Sequence, residues 1–266
     1  MRLIAIAVTG FARVVAYLVR LLAQLHMFLY GILPALLPPD QLGALMRRYY
    51  EHSYEQAGRR IPLTAYSWSL ELWEERVLAQ HRPLPGTVLV LGAGLGRESL
   101  ALAQRGYPVL ALDIAHGGSA IGARRAASLN LPVIFVHADF LTLPIPSASV
   151  TYILLSGVMY SAVPGRARRQ AWLQHLHNSL TPDGRIILNF VIAREPESAL
   201  MRHIQTCTRM ILRWPGSNQT YQPGDTCTNG HFMHTFQDER ELRAEVTEAG
   251  ATLIELNWTD SYAVLA

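Results

Sequence analysis

The residues Val88 to Glu98 read V-L-V-L-G-A-G-L-G-R-E, an apolar run followed by glycines at 92, 94 and 96. Glycines at this spacing let the backbone approach a ligand with no side chain in the way. The helix that follows would direct free N–H groups and its positive end at a polar or anionic group. This chemistry suits a nucleotide-like ligand. A dinucleotide fingerprint is G-x-G-x-x-G; here the spacing is G-x-G-x-G and Arg97 stands where the third glycine belongs. Asp113, 21 residues after Gly92, ends a second apolar run, where a carboxylate accepts hydrogen bonds from both ribose hydroxyls. Asp139, in H-A-D-F, closes a third run and with Phe140 suits an adenine amino group and ring edge. Either acid alone would serve other nucleotides. Their order on successive strands points to an adenosine-like ligand.

Such residues converge only if a particular set of elements holds them. From Thr87 onward, β-branched apolar runs at Val88–Leu91, Val109–Leu112, Val133–Val136, Val150–Leu155 and Ile186–Val191 are each long enough for a buried parallel strand. Helical patterns over Arg97–Gln104, Gly118–Leu129 and Arg166–Leu180 lie between them. Asp238 with Glu241 starts a closing helix that Gly250 stops, and Thr252–Trp258 and Ser261–Leu265, two residues apart, should pair antiparallel. The expected fold is α/β, a seven-stranded doubly wound, mostly parallel sheet with a C-terminal antiparallel hairpin, plus an N-terminal apolar helical segment. Three regions are expected: residues 1–39, apolar and helical; 40–86, a helical layer; and 87–266, the nucleotide-binding domain, with an insert at 193–237. Pro34, Pro38 and Pro39 should end the first segment, Asp40 should cap the next helix, and Ser67–Gln80 should be helical. The insert should contain a helix over Glu197–Trp214.

From Thr87 to the C-terminus, apart from the insert, the chain resembles the class I S-adenosylmethionine-dependent methyltransferases. V-L-V-L-G-A-G-L-G-R-E resembles the family's first motif, A-L-D-I its second-strand acidic motif, H-A-D-F its third-strand motif, and S-L-T-P-D-G-R-I-I-L its turn into the fifth strand. The resemblance implies that Gly92, Ala93, Gly94 and Gly96 wrap the methionine part of S-adenosyl-L-methionine and that Asp113, followed by Ile114, holds the ribose. It further implies that Asp139 and Phe140 bound the adenine, and that Ser156 and Gly157 form a floor beneath the sulfonium. Glu98 has a plainer explanation as a first-turn acid favoured by the helix dipole.

Methyl transfer mainly requires the acceptor to be aligned, and an acceptor hydroxyl or ammonium also needs a base. His231 and His234, in N-G-H-F-M-H-T-F, and Tyr160, in S-G-V-M-Y, are the candidates, each with an ordinary packing role as its alternative. Tyr49, Tyr50 and Tyr54 form a cluster that could close over the cofactor or simply pack. Family members acting on amides or adenine amino groups carry N/D-P-P-Y/F after the fourth strand. S-G-V-M stands there instead, with no cysteine for cytosine C5 chemistry and no carboxylate set for a metal.

The acceptor's nature is read from the flanks. Arg2, Thr9, Arg13, Arg20 and Gln24 follow steps of seven and four, a narrow polar stripe on an otherwise apolar helix. Arg13 interrupts what would be a signal peptide or an uncharged span. What fits is an in-plane membrane helix, which would make the protein cytoplasmic and peripheral to the inner face of a membrane, or a helix packed on the main domain or on a second subunit of a homo-oligomer, with a true membrane anchor as the third reading. Arg202, Arg209 and Arg213 repeat the spacing in the insert, apart from Leu200, Ile204 and Ile211. These stripes are either ordinary solvated faces or membrane contacts for an enzyme with a small hydrophobic or lipid-like acceptor. A net charge of +3 over 266 residues, half of them hydrophobic, is too small for a nucleic-acid partner, and Cys207 and Cys227 follow no metal spacing. A nicotinamide-dependent oxidoreductase, disfavoured by the glycine spacing and the closing hairpin, and a non-catalytic scaffold are the alternatives from other classes.

Overall fold

The computed structural model describes residues 2–60, 68–83, 85–193 and 199–266. Ser67 and Glu197, where two helices were expected to begin, lie outside these residues, as do the side chains of Arg2 and Leu200. In chain order, α1 (Arg2–Leu36), α2 (Pro39–Arg60) and α3 (Leu72–Gln80) lead into β1 (Val88–Leu91), α4 (Arg97–Gln104), β2 (Val109–Asp113), α5 (His116–Ser128) and β3 (Val133–His137). There follow β4 (Val150–Leu155), α6 (Met159–Ala162), α7 (Arg166–Ser179), β5 (Leu180–Asn189), β6 (Val191–Ile192), α8 (Ala199–Ile211), β7 (Asp225–Thr228) and β8 (His231–Phe236). The chain closes with α9 (Glu239–Glu248), β9 (Leu253–Asn257) and β10 (Tyr262–Leu265).

Among the described residues a seven-stranded sheet runs in the order β3-β2-β1-β4-β5-β10-β9. β10 lies antiparallel to both neighbours, and the other pairings are parallel. Every residue of β1 is buried because helices cover both faces. Its side chains alternate: Leu89 and Leu91 join Trp172, Leu173 and Leu242 on one face, whereas Val88 and Val90 join Val77, Ala101 and Leu102 on the other. The strand order reverses between β1 and β4, which places a crevice at their carboxyl ends.

Several boundaries differ from the sequence expectation: the strand expected over Ile186–Val191 instead runs over Leu180–Asn189, with Val191–Ile192 as a separate strand, and α5 begins at His116. Pro34 does not end α1; the helix continues to Leu36. α2 begins at Pro39, so Asp40 sits in its first turn instead of at the cap, and pairs with Arg168. α3 starts only at Leu72, capped reciprocally by Glu71 and Glu74.

The insert is the larger departure. Beyond α8 it forms a hairpin, with Asp225↔His234 and Thr228↔His231 as paired residues, and β8 also pairs with β6 in a second, three-stranded sheet. Asn229 and Gly230 both have positive φ, 53° and 87°, as a tight hairpin turn demands.

Candidate active site

At the crevice, Gly92, Gly94 and Gly96 all have positive φ (73°, 51° and 91°), which explains why the loop needs glycine. Its N–H groups are largely satisfied within the protein. Gly92 N and Ala93 N donate to Leu112 O, Gly96 N donates to Ala93 O, and Gly94 N donates to Asp113 Oδ2 at 2.7 Å. The other carboxylate oxygen of Asp113 accepts from Ala115 N at 2.8 Å. Two donors therefore fix the Asp113 carboxylate at the tip of β2, and each oxygen keeps a lone pair for a ligand. Burial pushes its pKa up, opposed by those two hydrogen bonds.

A cavity of ≈ 240 Å³ opens here, lined by Gly92, Asp113, Ile114, Phe140, Ser156 and Gly157 together with Tyr50, Tyr54, Val158 and Met159. A Cβ on Gly92 would lie 2.5 Å from Met159 Cγ, and one on Gly94 would lie 2.6 Å from Tyr54 Oη, so the loop forms a close cradle. Ala93 is packed in the core, and Gly96 faces the Phe135 ring. Asp139 borders a second cavity of ≈ 630 Å³ that also includes Ile114, and there Arg47 Nη2 of α2 donates to Asp139 Oδ2 at 3.0 Å. Phe140 is held by the Trp172 ring at 5.4 Å, while Trp172 Nε1 donates to Phe140 O.

Glu98 does more than complement a helix dipole. It is 3% exposed and accepts from Ser156 Oγ and Arg97 Nη2, both at 2.6 Å. Arg97 also makes a two-pronged pair with Glu74 of α3, at 2.7 and 2.8 Å. The residue that breaks the dinucleotide spacing thus anchors the loop to the helical layer. Burial raises the Glu98 pKa against the pull of Arg97 and Ser156.

The three candidates for proton chemistry separate in space. His231 Nε2 shares a 2.7 Å hydrogen bond with the hydroxyl of Tyr50, a cavity residue, its direction set by the ring's tautomer, and the ring stacks on Tyr49 with centroids 5.0 Å apart. Burial lowers the His231 pKa, and burial with the nearby Asp113 charge raises that of Tyr50, so the neutral ring and protonated phenol are favoured. His234 points elsewhere. It is 0% exposed between Asp225, at 2.7 Å from Nδ1, and Glu241, at 3.0 Å from Nε2. Tyr160 is also fully buried and donates to Glu245 Oε2 at 2.9 Å, next to the paired Arg169. His234 and Tyr160 therefore belong to one internal charge network and are not among the cavity-lining residues.

Sequence reading did not single out Met159 or Val158, or Tyr50 as the partner of His231. The dipeptide Asn229-Gly230, flanked by T-C-T and H-F-M-H, carried the hairpin signal that would have put His231 at the start of a strand.

Residues 88–184 match a family described as a methyltransferase domain. A demethylmenaquinone methyltransferase from Clavibacter sepedonicus is 34% identical over 119 residues, covering 44% of this chain and 46% of that protein. The matched stretch thus spans less than half of that relative's length. Among solved structures, a Burkholderia thailandensis 1,6-didemethyltoxoflavin-N1-methyltransferase with bound 1,6-didemethyltoxoflavin and S-adenosylhomocysteine is similar at TM-score 0.60 and 19% identity, over 86% of this chain and 88% of that one. A SAM-dependent methyltransferase from Methanosarcina mazei is similar at TM-score 0.54 and 18% identity, over 74% of this chain and 96% of that one. At such identities the likeness is one of fold.

Proposed function

We propose that the chain, whose residues 88–184 match a methyltransferase domain, is a class I S-adenosylmethionine-dependent enzyme that methylates an O or N atom of a small hydrophobic or lipid-like acceptor at a membrane surface. The observation that carries this reading is the cradle at the switch point of the sheet, in which Gly92 and the doubly held Asp113 border one cavity with Phe140 and Ser156.

In this reading Gly92 and Gly94 would hold the methionine portion of the cofactor, Asp113 the ribose, and Asp139 with Ile114 and Phe140 the adenine. Ser156 and Gly157 would form the floor. When bound, S-adenosylmethionine supplies a methyl group activated by a cationic sulfur, so the protein is asked chiefly for alignment and water exclusion. Arg47 must swing away from Asp139 for an adenine to reach that carboxylate. The pair is partly exposed, and releasing it costs on the order of 1 kcal/mol or less. Tyr50 and His231 supply the proton route: the acceptor's proton passes to Tyr50 Oη as that phenol gives its own proton to neutral His231 Nε2. The exposed apolar face of α1, including Phe11, Leu18, Leu22 and Leu25, supports the membrane setting.

Calorimetry with S-adenosylhomocysteine and with NADH, followed by radiolabelled methyl transfer from S-adenosylmethionine into a lipid and metabolite extract, tests the proposal. Binding of S-adenosylhomocysteine alone and label in an organic-soluble product are expected. Binding of NADH alone would overturn the reading.

A further inference from the structure

A separate cavity of ≈ 520 Å³ lies between α1, α2 and the β7–β8 turn, and none of its lining residues has a role in the site above except Tyr49. Its mostly apolar wall comes from Tyr30 and Leu33 of α1 and Leu45 and Tyr49 of α2, with Arg48, His52 and Ser53 of α2 and the Asn229-Gly230 turn completing the rim. The turn lies against α2 at ordinary contact distance: a Cβ on Gly230 would stand 3.4 Å from Leu45 O. At the inner end, Tyr49 stacks on His231 with only 11° between the rings, and Tyr50, whose ring meets both edge-on at 5.4 and 5.3 Å, lines the donor cavity. One cluster of three packed rings, Tyr49, His231 and Tyr50, therefore contributes a wall residue to each cavity. At the outer end, Tyr30 continues into the stretch of α1 whose large apolar side chains, from Val8 to Leu29, are exposed.

We propose that this groove holds the hydrocarbon tail of the methyl acceptor and sets the reacting head against Tyr50 and His231, an inference that rests on the methyltransferase reading above. Its volume is that of an ordinary small-molecule site. Its position supplies the rest of the argument. A tail leaving a lipid layer along α1 meets the apolar side chains of Tyr30, Leu33 and Leu45 before it reaches Tyr49 and, stacked on it, His231, which is bonded to the donor-cavity residue Tyr50. An acceptor that is polar throughout would gain nothing from Leu33, Leu45 and the Tyr30 ring. Tail length should accordingly govern affinity, by about fourfold for each methylene taken out of water.

The test uses the full chain with S-adenosylhomocysteine and a long-chain alcohol carrying a mid-chain diazirine, photolysed and mapped by mass spectrometry. Adducts are expected on Tyr30, Leu33, Leu45 or Tyr49. They should be displaced by unlabelled 1-alkanols with about fourfold greater potency per added methylene, and be lost in the groove-filling variants Leu45→Trp and Leu33→Trp. Adducts confined to residues 8–29, adducts unchanged by both variants, or cross-links showing that a second copy of the chain fills the groove would each overturn the proposal. Parallel calorimetry with S-adenosylhomocysteine keeps the two readings apart. A wild-type chain that binds it but never labels in the groove sinks the tail site alone. One that labels in the groove yet fails to bind it sinks the methyltransferase assignment and leaves a hydrocarbon site.

Discussion

Gly94 sits at φ +51° beneath the Tyr54 hydroxyl, so one added methyl meets backbone strain and an oxygen 2.6 Å away together. Gly94→Ala should therefore push Tyr54 out of the cavity wall, cost about 1–2 kcal/mol of stability and weaken S-adenosylhomocysteine binding about tenfold by calorimetry. The two β8 histidines are driven in opposite directions, His231 down by burial and His234 up by hydrogen bonds to Asp225 and Glu241 that outweigh its burial. A titration followed by NMR should place the His231 midpoint below, and the His234 midpoint above, the ordinary value of about 6.5. If His231 takes the proton through Tyr50, the rate of methyl transfer falls as pH drops through that lowered midpoint. His231→Ala should remove this acid limb and lower kcat by about 10²-fold or more. Legibility in the sequence tracks locality here. Gly92, Gly94 and Asp113 stand on consecutive strand ends and were readable from spacing. Tyr50 and Tyr54, read as a cluster that could close over the cofactor or simply pack, line the same cavity from α2, whereas no short-range pattern encodes the pairing of Tyr50 with His231, 181 residues away.

At the scale of elements, the β7–β8 hairpin carries His231 and is fastened to the α/β core by buried charge. Arg169 of α7 donates through Nε and Nη2 to Glu245 of α9, at 3.0 and 2.6 Å, and through Nη2 to Gln222. His234 of β8 bridges Asp225 of β7 and Glu241 of α9 in the same region. Removing one partner leaves an uncompensated buried charge. Glu245→Ala should cost about 3–5 kcal/mol in denaturant unfolding, and it should loosen the hairpin before the central sheet. The folded-state pKa of His234 is raised, so its stabilisation is complete below the unfolded value of about 6.5 and is lost as pH rises through the folded value. The stability gap between wild type and His234→Asn, measured by urea unfolding, should therefore be wider at pH 6 than at pH 9. The central strands were legible because β-branched runs between turn signals have few other uses. The second sheet was not, because its strands are short and half polar: Asp225, His231 and His234 look like loop residues until their partners across the hairpin are known.

The molecule as a whole is a covered α/β core from which one helix carries its apolar surface outward. The last turns of α1 are fixed: Ile204 of α8 seats over Gly31, where a Cβ would lie 2.7 Å from its Cδ1, and Asn218 Nδ2 donates to Pro34 O at 2.7 Å. Further toward the N-terminus, Val8, Phe11 and Leu22 are each more than 60% exposed, with Arg13, Arg20 and Gln24 on the opposite stripe. The arginine spacing made this amphipathic character readable. Its attachment to α8 was not, since it depends on a close approach that only a glycine allows. Removing residues 1–37 would strip the covering from α8 and β7 as well, so the discriminating variant lacks residues 1–25 alone. The full chain should sediment with vesicles containing phosphatidylglycerol, while the shortened chain should stay in solution with unchanged S-adenosylhomocysteine affinity. Each arginine near an anionic surface contributes about 1 kcal/mol, which salt screens, whereas buried apolar area is insensitive to salt. Raising the ionic strength should therefore weaken vesicle binding without abolishing it. Complete release by salt would make α1 a merely electrostatic contact, and equal, negligible sedimentation of both chains would remove the membrane from the account.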